Sequence, residues 1–223
     1  MPADLYTYAR LSNDSYTPGK IKTPLPMLHE DRYQNFAAKV YAGPSGAIIA
    51  YAGTDDARDA LVEDAGGIGL IGNTHVLHTS RAIQLAQTFL QRNRVVEVCG
   101  HSLGGGYAQL VARELDLTCV TFNAPGVSHM SGAGLPGGVL NPINGTVGNL
   151  RNLYGRFVDN NVMYHFRHPQ DVVSLIGTHC GSRGLRNLGM PPFPGLSAPA
   201  SAHAISNIEN WLKTRAGRQP AQF

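Results

Sequence analysis

Residues 95–112 of the chain read VVEVCGHSLGGGYAQLVA, and this stretch decides the fold class. Its first part, residues 95–99, is an apolar run rich in valine, which is typical of a buried β-strand. Its last part is rich in small and apolar residues and predicts a helix. Gly100 and Gly104 stand two residues before and two residues after Ser102, where a sharp strand-to-helix turn has no room for side chains. The stretch therefore predicts a nucleophile elbow, a turn that presents the Ser102 hydroxyl above the end of a strand.

Patterns on either side of this stretch predict strands that alternate with helices. The predicted strands cover residues 36–41, 47–51, 95–99, 117–122 and 161–166, and the predicted helices cover residues 74–91, 104–114 and 202–215. This alternation is typical of a mainly parallel sheet with helices on both faces, whose site lies beyond the carboxyl ends of the strands. The sequence shows no linker, repeat or second domain. We therefore expect one α/β domain over residues 1–223.

The composition argues against several classes of protein. Hydrophobic residues make up 43% of the chain and charged residues 15%, as in a globular protein. The formal net charge of +3 is small and its lysines and arginines are scattered, which argues against a nucleic-acid partner. Five arginines lie between Arg151 and Arg186; they are either solvated loop charges or a surface for anionic lipid headgroups. Cys99 and Cys119 lie in apolar runs and are expected to be buried thiols.

The sequence also bears on where the protein acts. No apolar run approaches the roughly 20 residues of a membrane-spanning helix. Residues 1–5 have neither the basic nor the apolar region of a cleavable secretion signal. We therefore expect a cytoplasmic protein, an effector exported by a signal-independent route, or a part of a longer chain.

A carboxylate is needed beside the serine, because a serine hydroxyl becomes nucleophilic when a histidine takes its proton and a carboxylate orients that histidine. Asp171 follows the strand predicted at residues 161–166, where a loop at the carboxyl edge of the sheet would deliver it. Asp116 and Asp159 precede strands and so belong to the opposite edge. Asp171 also opens the short run at residues 172–175 and is a candidate helix N-cap, a role compatible with the first.

Three of the nine histidines are candidates for the base beside the serine. His203 follows a small-residue loop and is predicted to start the terminal helix, which would hold its ring over the sheet edge. His179 lies eight residues after Asp171 and is the alternative base. His101 adjoins Ser102, but the geometry of the turn is expected to point its side chain away. His203 is the preferred candidate.

Neither a metal nor a nucleotide cofactor is expected. His75 with His78, and His165 with His168, have the spacing of ligand pairs, but no nearby carboxylate or cysteine completes either set. Residues 67–72 read GIGLIG and match a dinucleotide-binding fingerprint. No convincing strand precedes them, so a flexible apolar loop is the preferred interpretation.

Stabilisation of an oxyanion at the serine needs backbone N–H donors. The N–H of Leu103 follows Ser102 at a helix N-terminus, where the helix dipole helps. A second donor is expected in the turn at residues 52–56, which follows the strand predicted at residues 47–51. There Gly53 lets the backbone approach closely, and Thr54 offers its N–H.

Taken together, these segments resemble the class 3 lipases, the fungal-type branch of the α/β-hydrolase superfamily, and are most similar to its bacterial members. The resemblance spans roughly residues 36–215 and is carried by YAGT at 51–54, GHSLGG at 100–105, TFNAPG at 121–126, DVVSL at 171–175 and HAISN at 203–207. It implies an α/β-hydrolase fold with Ser102, Asp171 and His203 as the catalytic triad and Thr54 and Leu103 as the oxyanion hole. Ala52 stands where the family often has arginine, and Val172 and Ser174 where it often has prolines.

The resemblance implies hydrolysis of carboxylic esters without a cofactor, with lipids as the leading substrates. Triglycerides, phospholipids and small esters all stay open, because the departures fall near the site. Some bacterial members of the family are antibacterial phospholipase toxins, which would act at a membrane surface and travel with a neutralising partner protein. The glycine-rich connections at residues 53–73 and 124–149 carry apolar side chains that would wall an acyl pocket or form a lid.

Two other classes of function stay open at this point. An acyltransferase or amidase would use the same triad, because water and other acceptors compete for one acyl-enzyme. A binding module would keep the fold without the activity, although an intact triad argues against it.

Overall fold

The computed structural model describes residues 3–19, 23–53, 73–92, 96–127, 162–181, 184–195 and 198–215. Within these ranges the strands form one sheet of seven, and helices lie between them in the chain. The architecture is an α/β fold, as the sequence predicts.

The described elements follow the predicted order, with additions toward both ends. The strands are β1 (Met27–Tyr33), β2 (Phe36–Ala42), β3 (Ala47–Tyr51), β4 (Val96–His101), β5 (Thr118–Phe122), β6 (Met163–Arg167) and β7 (Leu185–Asn187). The helices are α1 (Leu5–Asp14), α2 (Asn73–Leu90), α3 (Leu103–Leu115), α4 (Ala198–His203) and α5 (Ile205–Arg215), with one 3₁₀ turn at Val173–Leu175. None of the helices in the described ranges is long and apolar enough to cross a membrane.

The sheet is mixed, and its parallel part carries the site. Its strands are neighbours in chain order from β1 to β7. The pairs β1–β2 and β2–β3 are antiparallel, and every pair from β3 to β7 is parallel. The carboxyl ends of β4, β5 and β6 therefore lie along one edge, where the side chains that follow these strands come together.

Helices cover the two faces of the sheet, and alternation along β3 shows which side chains meet which helices. Ile49 and Tyr51 belong to the apolar cluster that contains the buried side chains of α2 and α3. Ile48 and Ala50 belong to the other cluster, which contains those of α1 and α5. Successive side chains of a strand point to opposite faces, so the two clusters are the two layers of the core.

Three elements, α1, β1 and β7, are not predicted by the sequence patterns. Strands β1 and β7 lie at the two edges of the sheet and are half-exposed, so neither carries a buried apolar run. Helix α1 buries Tyr8 and Leu11, but it buries Asp14 as well. Polar residues on the buried side of a helix blur the apolar periodicity by which a helix is found in a sequence.

Helix α1 is fastened to the sheet by buried polar groups. The Asp14 carboxylate accepts hydrogen bonds at one oxygen from Lys39 Nζ, at 3.0 Å, and from Tyr41 Oη, at 2.5 Å. Tyr8 Oη donates to Glu97 of β4 at 2.5 Å. Because buried charges are stable only when they are paired and hydrogen-bonded, these contacts fix the position of α1 on the sheet.

The terminal helix differs from the prediction in one respect. His203 does not start it, because α4 ends at His203 and α5 begins at Ile205. The carbonyls of Ala202 and His203 accept hydrogen bonds from the Asn123 side chain, at 2.8 and 3.1 Å. These bonds hold the two carbonyls toward the sheet edge at the point where the helix is interrupted.

Candidate active site

The turn between β4 and α3 has the geometry that the sequence predicts for residues 100–104. Strand β4 ends at His101 and α3 begins at Leu103, so Ser102 alone makes the turn, with φ of 54° and ψ of −132°. A positive φ costs a non-glycine residue about 1–3 kcal/mol, and such strain persists only where the surroundings enforce it. A Cβ on Gly100 would lie within 3.0 Å of backbone atoms of Gly104, and one on Gly104 within 3.0 Å of backbone atoms of Tyr51. Backbone contact on both sides therefore requires glycine at these two positions.

The Ser102 hydroxyl does not cap the helix that it precedes. Serine at an N-cap normally accepts a hydrogen bond from a backbone N–H of the first turn, but Ser102 makes no such bond with its side chain. Its Oγ lies instead 2.9 Å from Nε2 of His203. The hydroxyl is thus directed away from the helix and toward the imidazole.

The Asp171 carboxylate uses its two oxygens for two different neighbours. Oδ1 lies 2.7 Å from Nδ1 of His203, and Oδ2 accepts the backbone N–H of Ser174 at 2.9 Å. Burial alone would raise the pKa of Asp171, but the hydrogen bonds and charge of His203 and the bonds from Ser174 outweigh it, so this pKa lies below its ordinary value. Asp171 is therefore ionised at neutral pH, and Nδ1 of His203 is the donor. The contact with the Ser174 N–H and the contact with His203 coexist, but the N-cap of the 3₁₀ turn is Val172 and not Asp171.

Of the predicted site residues, three meet directly and a fourth follows one of them. Ser102, His203 and Asp171 form a hydrogen-bonded series and are 4%, 9% and 1% exposed. Leu103 begins α3, so no helix carbonyl lies four residues before it to accept its N–H. The helix itself therefore does not use the Leu103 N–H.

Thr54 lies outside the described residues, but its neighbour Gly53 does not. A Cβ on Gly53 would stand 3.4 Å from the Leu103 nitrogen and 2.8 Å from Tyr16 Oη. The chain that leads to Thr54 therefore passes directly beside the Leu103 amide. Most of the connections at 53–73 and 124–149, the Gly-rich run at 67–72 and Asp159 also fall outside the described residues.

The alternative base, His179, makes other contacts. Its Nε2 lies 2.9 Å from the Ala124 carbonyl oxygen, and its ring centroid lies 4.8 Å from that of His165. Burial lowers the pKa of His179. Within the described residues, His203 and not His179 contacts both Ser102 and Asp171.

The second histidine pair considered as metal ligands, His165 and His168, has hydrogen-bond partners of its own. His165 lies within hydrogen-bond distance of Thr121 Oγ1, at 2.8 Å, and of the Cys180 carbonyl, at 2.7 Å. The His168 ring lies 3.1 Å from the Pro191 carbonyl. A search of the described residues finds no group of three or more histidines, cysteines or carboxylates that could hold a metal ion.

The contacts that three residues make around His203 are not predicted from the sequence. His101 does not point away from the site, because its ring centroid is 4.7 Å from that of His203. Asn123 lies in the segment quoted for the family resemblance, but nothing in its pattern indicates that it bonds the carbonyl of His203. Tyr16 contacts His101 from the N-terminal end of the chain, and no local pattern marks it.

The chain is thus an α/β protein with serine, histidine and aspartate side chains in contact at the carboxyl edge of its sheet. Comparison with known families gives the class of the protein, since a model of the Tle-like phospholipase domain, of the phospholipase-like type, matches residues 6–134. That match covers more than half of the chain, which therefore belongs to this family. The matched range includes Ser102 and Leu103 and ends before Asp171 and His203.

A curated relative is the extracellular phospholipase A1 of Serratia liquefaciens, which is 32% identical to the chain over 105 residues. The alignment covers 46% of this chain and 31% of the relative. The chain thus matches about a third of the length of that protein.

Proposed function

We propose that the chain is a serine hydrolase that cleaves the carboxylic ester bonds of lipids, with glycerophospholipids as its substrates. The observation that carries the proposal is the series Ser102 Oγ, His203 and Asp171, joined by contacts of 2.9 and 2.7 Å at the carboxyl edge of the sheet. A serine activated in this way is the nucleophile of acyl-transfer enzymes on several unrelated folds. The family supplies the class of substrate.

The fold belongs to the same proposal. The order Ser102, Asp171, His203 along the chain and the elbow between β4 and α3 are features of the α/β-hydrolases. We assign the chain to that superfamily and, on the segments quoted above, to its class 3 lipase branch. A crystal structure with an acyl-serine analogue bound to Ser102 would test both assignments together.

The chemistry assigns one role to each group. Ser102 Oγ attacks the ester carbonyl carbon while His203 Nε2 takes its proton. The tetrahedral intermediate then collapses, His203 returns that proton to the departing alcohol oxygen, and the acyl group stays on Ser102. Water attacks this acyl-enzyme with the same proton transfer, and the fatty acid leaves. Asp171 orients the imidazole and stabilises the imidazolium without taking the proton itself.

The oxyanion of each intermediate lies beside the first turn of α3 in this proposal. The Leu103 N–H is one donor, and it adds the favourable end of the helix dipole. Thr54 supplies the second donor. The closeness of Gly53 to the Leu103 nitrogen supports this pairing, because it brings the chain that leads to Thr54 to the same spot.

The substrate class is tested by hydrolysis of fluorogenic phospholipids, a triglyceride, and short- and long-chain p-nitrophenyl esters. Wild type is compared with Ser102→Ala, and Ser80→Ala of the buried face of α2 serves as the matched control. We expect phospholipid hydrolysis by wild type and by Ser80→Ala, and its loss in Ser102→Ala. A fluorophosphonate probe should label wild type at Ser102.

The other outcomes of this assay identify the other classes of function. Ester or amide products formed when an alcohol or amine is added would indicate an acyltransferase. Failure of both hydrolysis and fluorophosphonate labelling would favour a binding module. Equal hydrolysis by wild type and Ser102→Ala would contradict the proposed nucleophile.

We also propose that the chain acts as a lipolytic effector at a membrane surface, opposed by a neutralising partner protein. The phospholipase family of the chain and its resemblance to bacterial members support this role. Expression in the cytoplasm and in the periplasm of a bacterial host tests it. Growth arrest by wild type but not by Ser102→Ala would support the role, and equal growth with both would contradict it.

A further inference from the structure

A second histidine, His101, lies against the His203 of the proposed function. Its Nε2 is 2.6 Å from the backbone carbonyl oxygen of His203, and the two ring centroids are 4.7 Å apart. Its other ring nitrogen, Nδ1, is 2.8 Å from Tyr16 Oη. Both nitrogens of a buried ring are therefore engaged, and neither of them contacts Ser102.

The chemistry of these partners defines the protonation of the His101 ring. A carbonyl oxygen only accepts, so Nε2 carries the hydrogen and donates it to His203. Burial, and next to it the neighbouring His203, lower the pKa of His101 to about 3, so the ring is neutral at ordinary pH and Nδ1 is bare. Tyr16 Oη is then the donor in the second bond. One tautomer satisfies both contacts of the His101 ring.

A neutral ring at this place suits the proposed reaction. His203 becomes a cation each time it takes the proton of Ser102, and a charged neighbour would oppose that step. A neutral His101 adds no such repulsion. Its donated bond also ends on the backbone of His203, so it holds the residue without competing for either ring nitrogen.

Tyr16 connects this arrangement to α1 and to the turn that leads to Thr54. Its hydroxyl also lies 3.2 Å from the backbone carbonyl of His101, and it occupies the space where a Cβ of Gly53 would stand. Helix α1, two residues before Tyr16, is anchored by the buried contact between Asp14 and Lys39. The position of Tyr16 is therefore defined by the core rather than by a surface loop.

We propose that Tyr16 and His101 are positioning residues for the His203 of the proposed function. Tyr16 Oη, the His101 ring and the His203 carbonyl form a relay that selects one tautomer of His101. The relay holds the His203 backbone at the distance from which its ring reaches both Ser102 and Asp171. Asn123 supports the same carbonyl from the β5 side, at 3.1 Å.

The matched pair His101→Gln and His101→Asn tests the relay. The amide nitrogen of glutamine reaches the place of Nε2 and retains a donor for the His203 carbonyl, whereas asparagine is one methylene too short. We expect His101→Asn to lower kcat about 10- to 100-fold, the range that small displacements of reacting groups produce, with KM little changed. His101→Gln should recover most of that loss. A purely structural role would lower the folded fraction and leave the kcat of the folded enzyme the same in both.

Tyr16→Phe provides a milder variant that keeps the ring and the packing. It leaves Nδ1 of His101 without its donor, and we expect a smaller loss of kcat than in His101→Asn. His165→Asn and His165→Gln are the matched controls, because the His165 ring also contacts partners through both nitrogens, Thr121 and Cys180. They should lower the thermal midpoint without a difference in kcat between asparagine and glutamine.

Nuclear magnetic resonance gives a reading that needs no substrate. The ¹⁵N shifts of His101 should report the neutral form protonated at Nε2, and the downfield proton of the bond between His203 and Asp171 should broaden or shift in His101→Asn. A ring protonated at Nδ1, or wild-type kcat in both His101 variants, would overturn the relay. If Ser102→Ala keeps wild-type activity while His101→Asn loses it, Ser102 is not the nucleophile. The spectra still decide whether the relay exists.

Discussion

The two halves of the candidate site are held in place by different means. Ser102 belongs to a continuous segment from β4 into α3. In this segment the backbone of Gly100 packs against that of Gly104, and the backbone of Gly104 packs against that of Tyr51. Asp171 and His203 belong to separate segments, and His203 is located by side-chain hydrogen bonds from His101 and Asn123. The partners in these bonds are 102 and 80 residues apart in the chain.

This difference predicts how each half responds to change. Where backbone lies in van der Waals contact with backbone there is no room for another atom, so a single carbon added at Gly100 or Gly104 displaces a strand or a helix. Hydrogen bonds between side chains and carbonyls can be lost one at a time, each at a moderate cost. Substitution of Gly100 or Gly104 should therefore abolish the structure of the first half, whereas the loss of single hydrogen bonds in the second half should lower activity in steps.

The largest effect is expected from Gly104→Ala. Its new Cβ would lie within 3.0 Å of backbone atoms of Tyr51 and Ala52, so β3 and α3 would have to separate. We expect a loss of at least about 3 kcal/mol of unfolding free energy, together with the loss of activity. Urea unfolding followed by circular dichroism measures it. Gly106→Ala is the matched control in the same helix, because its Cβ would meet Val127 at an ordinary 3.4 Å.

Gly106→Ala should leave the fold intact and stabilise it by about 0.5–1 kcal/mol, the helix preference of alanine over glycine. Equal destabilisation by the two substitutions would contradict the backbone argument. In that case the glycines would matter for helix formation and not for the contact between β3 and α3.

Asp171→Asn comes next and alters the second half without removing its geometry. Asparagine retains an oxygen for the backbone N–H of Ser174, so this contact survives. The charge that orients and stabilises the His203 imidazolium is lost. We expect kcat to fall about 10⁴-fold, the size of this change in a serine protease. The thermal midpoint should also fall near pH 7, because the ionised carboxylate stabilises the fold at this pH. Steady-state hydrolysis of a phospholipid measures kcat.

The same variant tests the lowered pKa of Asp171 through the pH dependence of stability. A carboxyl whose pKa is lower in the folded state stabilises the fold above its unfolded pKa of about 3.9. This contribution is lost as the pH falls below that value and through the folded pKa. The stability difference between wild type and Asp171→Asn should therefore shrink with acid below about pH 4. A constant difference down to pH 2 would mean that the pKa is not lowered.

The contrast between the halves also explains how much could be predicted from the sequence. The turn at Ser102 was predictable because strand, glycine spacing and helix follow one another within twenty residues, and short-range sterics decide its shape. The strands β2 to β6 follow from apolar runs for the same reason. Asp171 was located by one further step, since the carboxyl ends of parallel strands share an edge.

What surrounds His203 could not be predicted in this way. At the interruption between α4 and α5, the Asn123 amide donates to two carbonyls about 80 residues later in the chain. The buried orientation of His101 depends on Tyr16, which α1 delivers from the N-terminal end. Helix α1 itself was missed, because its buried Asp14 finds its partner Lys39 in β2. Each of these facts depends on a tertiary contact that no local pattern records.

A smaller effect is expected from Asn123→Asp. Aspartate keeps an acceptor for the His168 N–H, which Asn123 Oδ1 accepts at 2.9 Å, and it tolerates the positive φ of 46°. It replaces the donor to the Ala202 and His203 carbonyls with an oxygen. We expect a loss of about 1–3 kcal/mol of unfolding free energy and a partial fall in kcat.

Asn207→Asp is the matched control, because its side chain donates to one carbonyl, that of Ser201, at 2.8 Å and is only partly buried. It should cost less stability and leave kcat near that of wild type. If both variants lower kcat equally, the interruption before α5 matters as a whole and the Asn123 contact has no special part.

The smallest and finest test uses the thiols as reporters of local opening. Cys99 in β4 and Cys180 in the segment after Asp171 are both buried thiols that take part in no disulfide of the described residues. Burial raises the pKa of Cys99 to about 12, so its thiolate forms only when the surrounding structure opens. The measurement uses Ellman's reagent at pH 8 on variants that each keep a single cysteine. We expect Cys180 to react before Cys99. The Cys180 N–H is held by a hydrogen bond to the Gln109 side chain, and such a bond opens more readily than the packed strand β4. If both cysteines react at the rate of global unfolding, the two halves of the site open together. The two halves would then not differ in local stability.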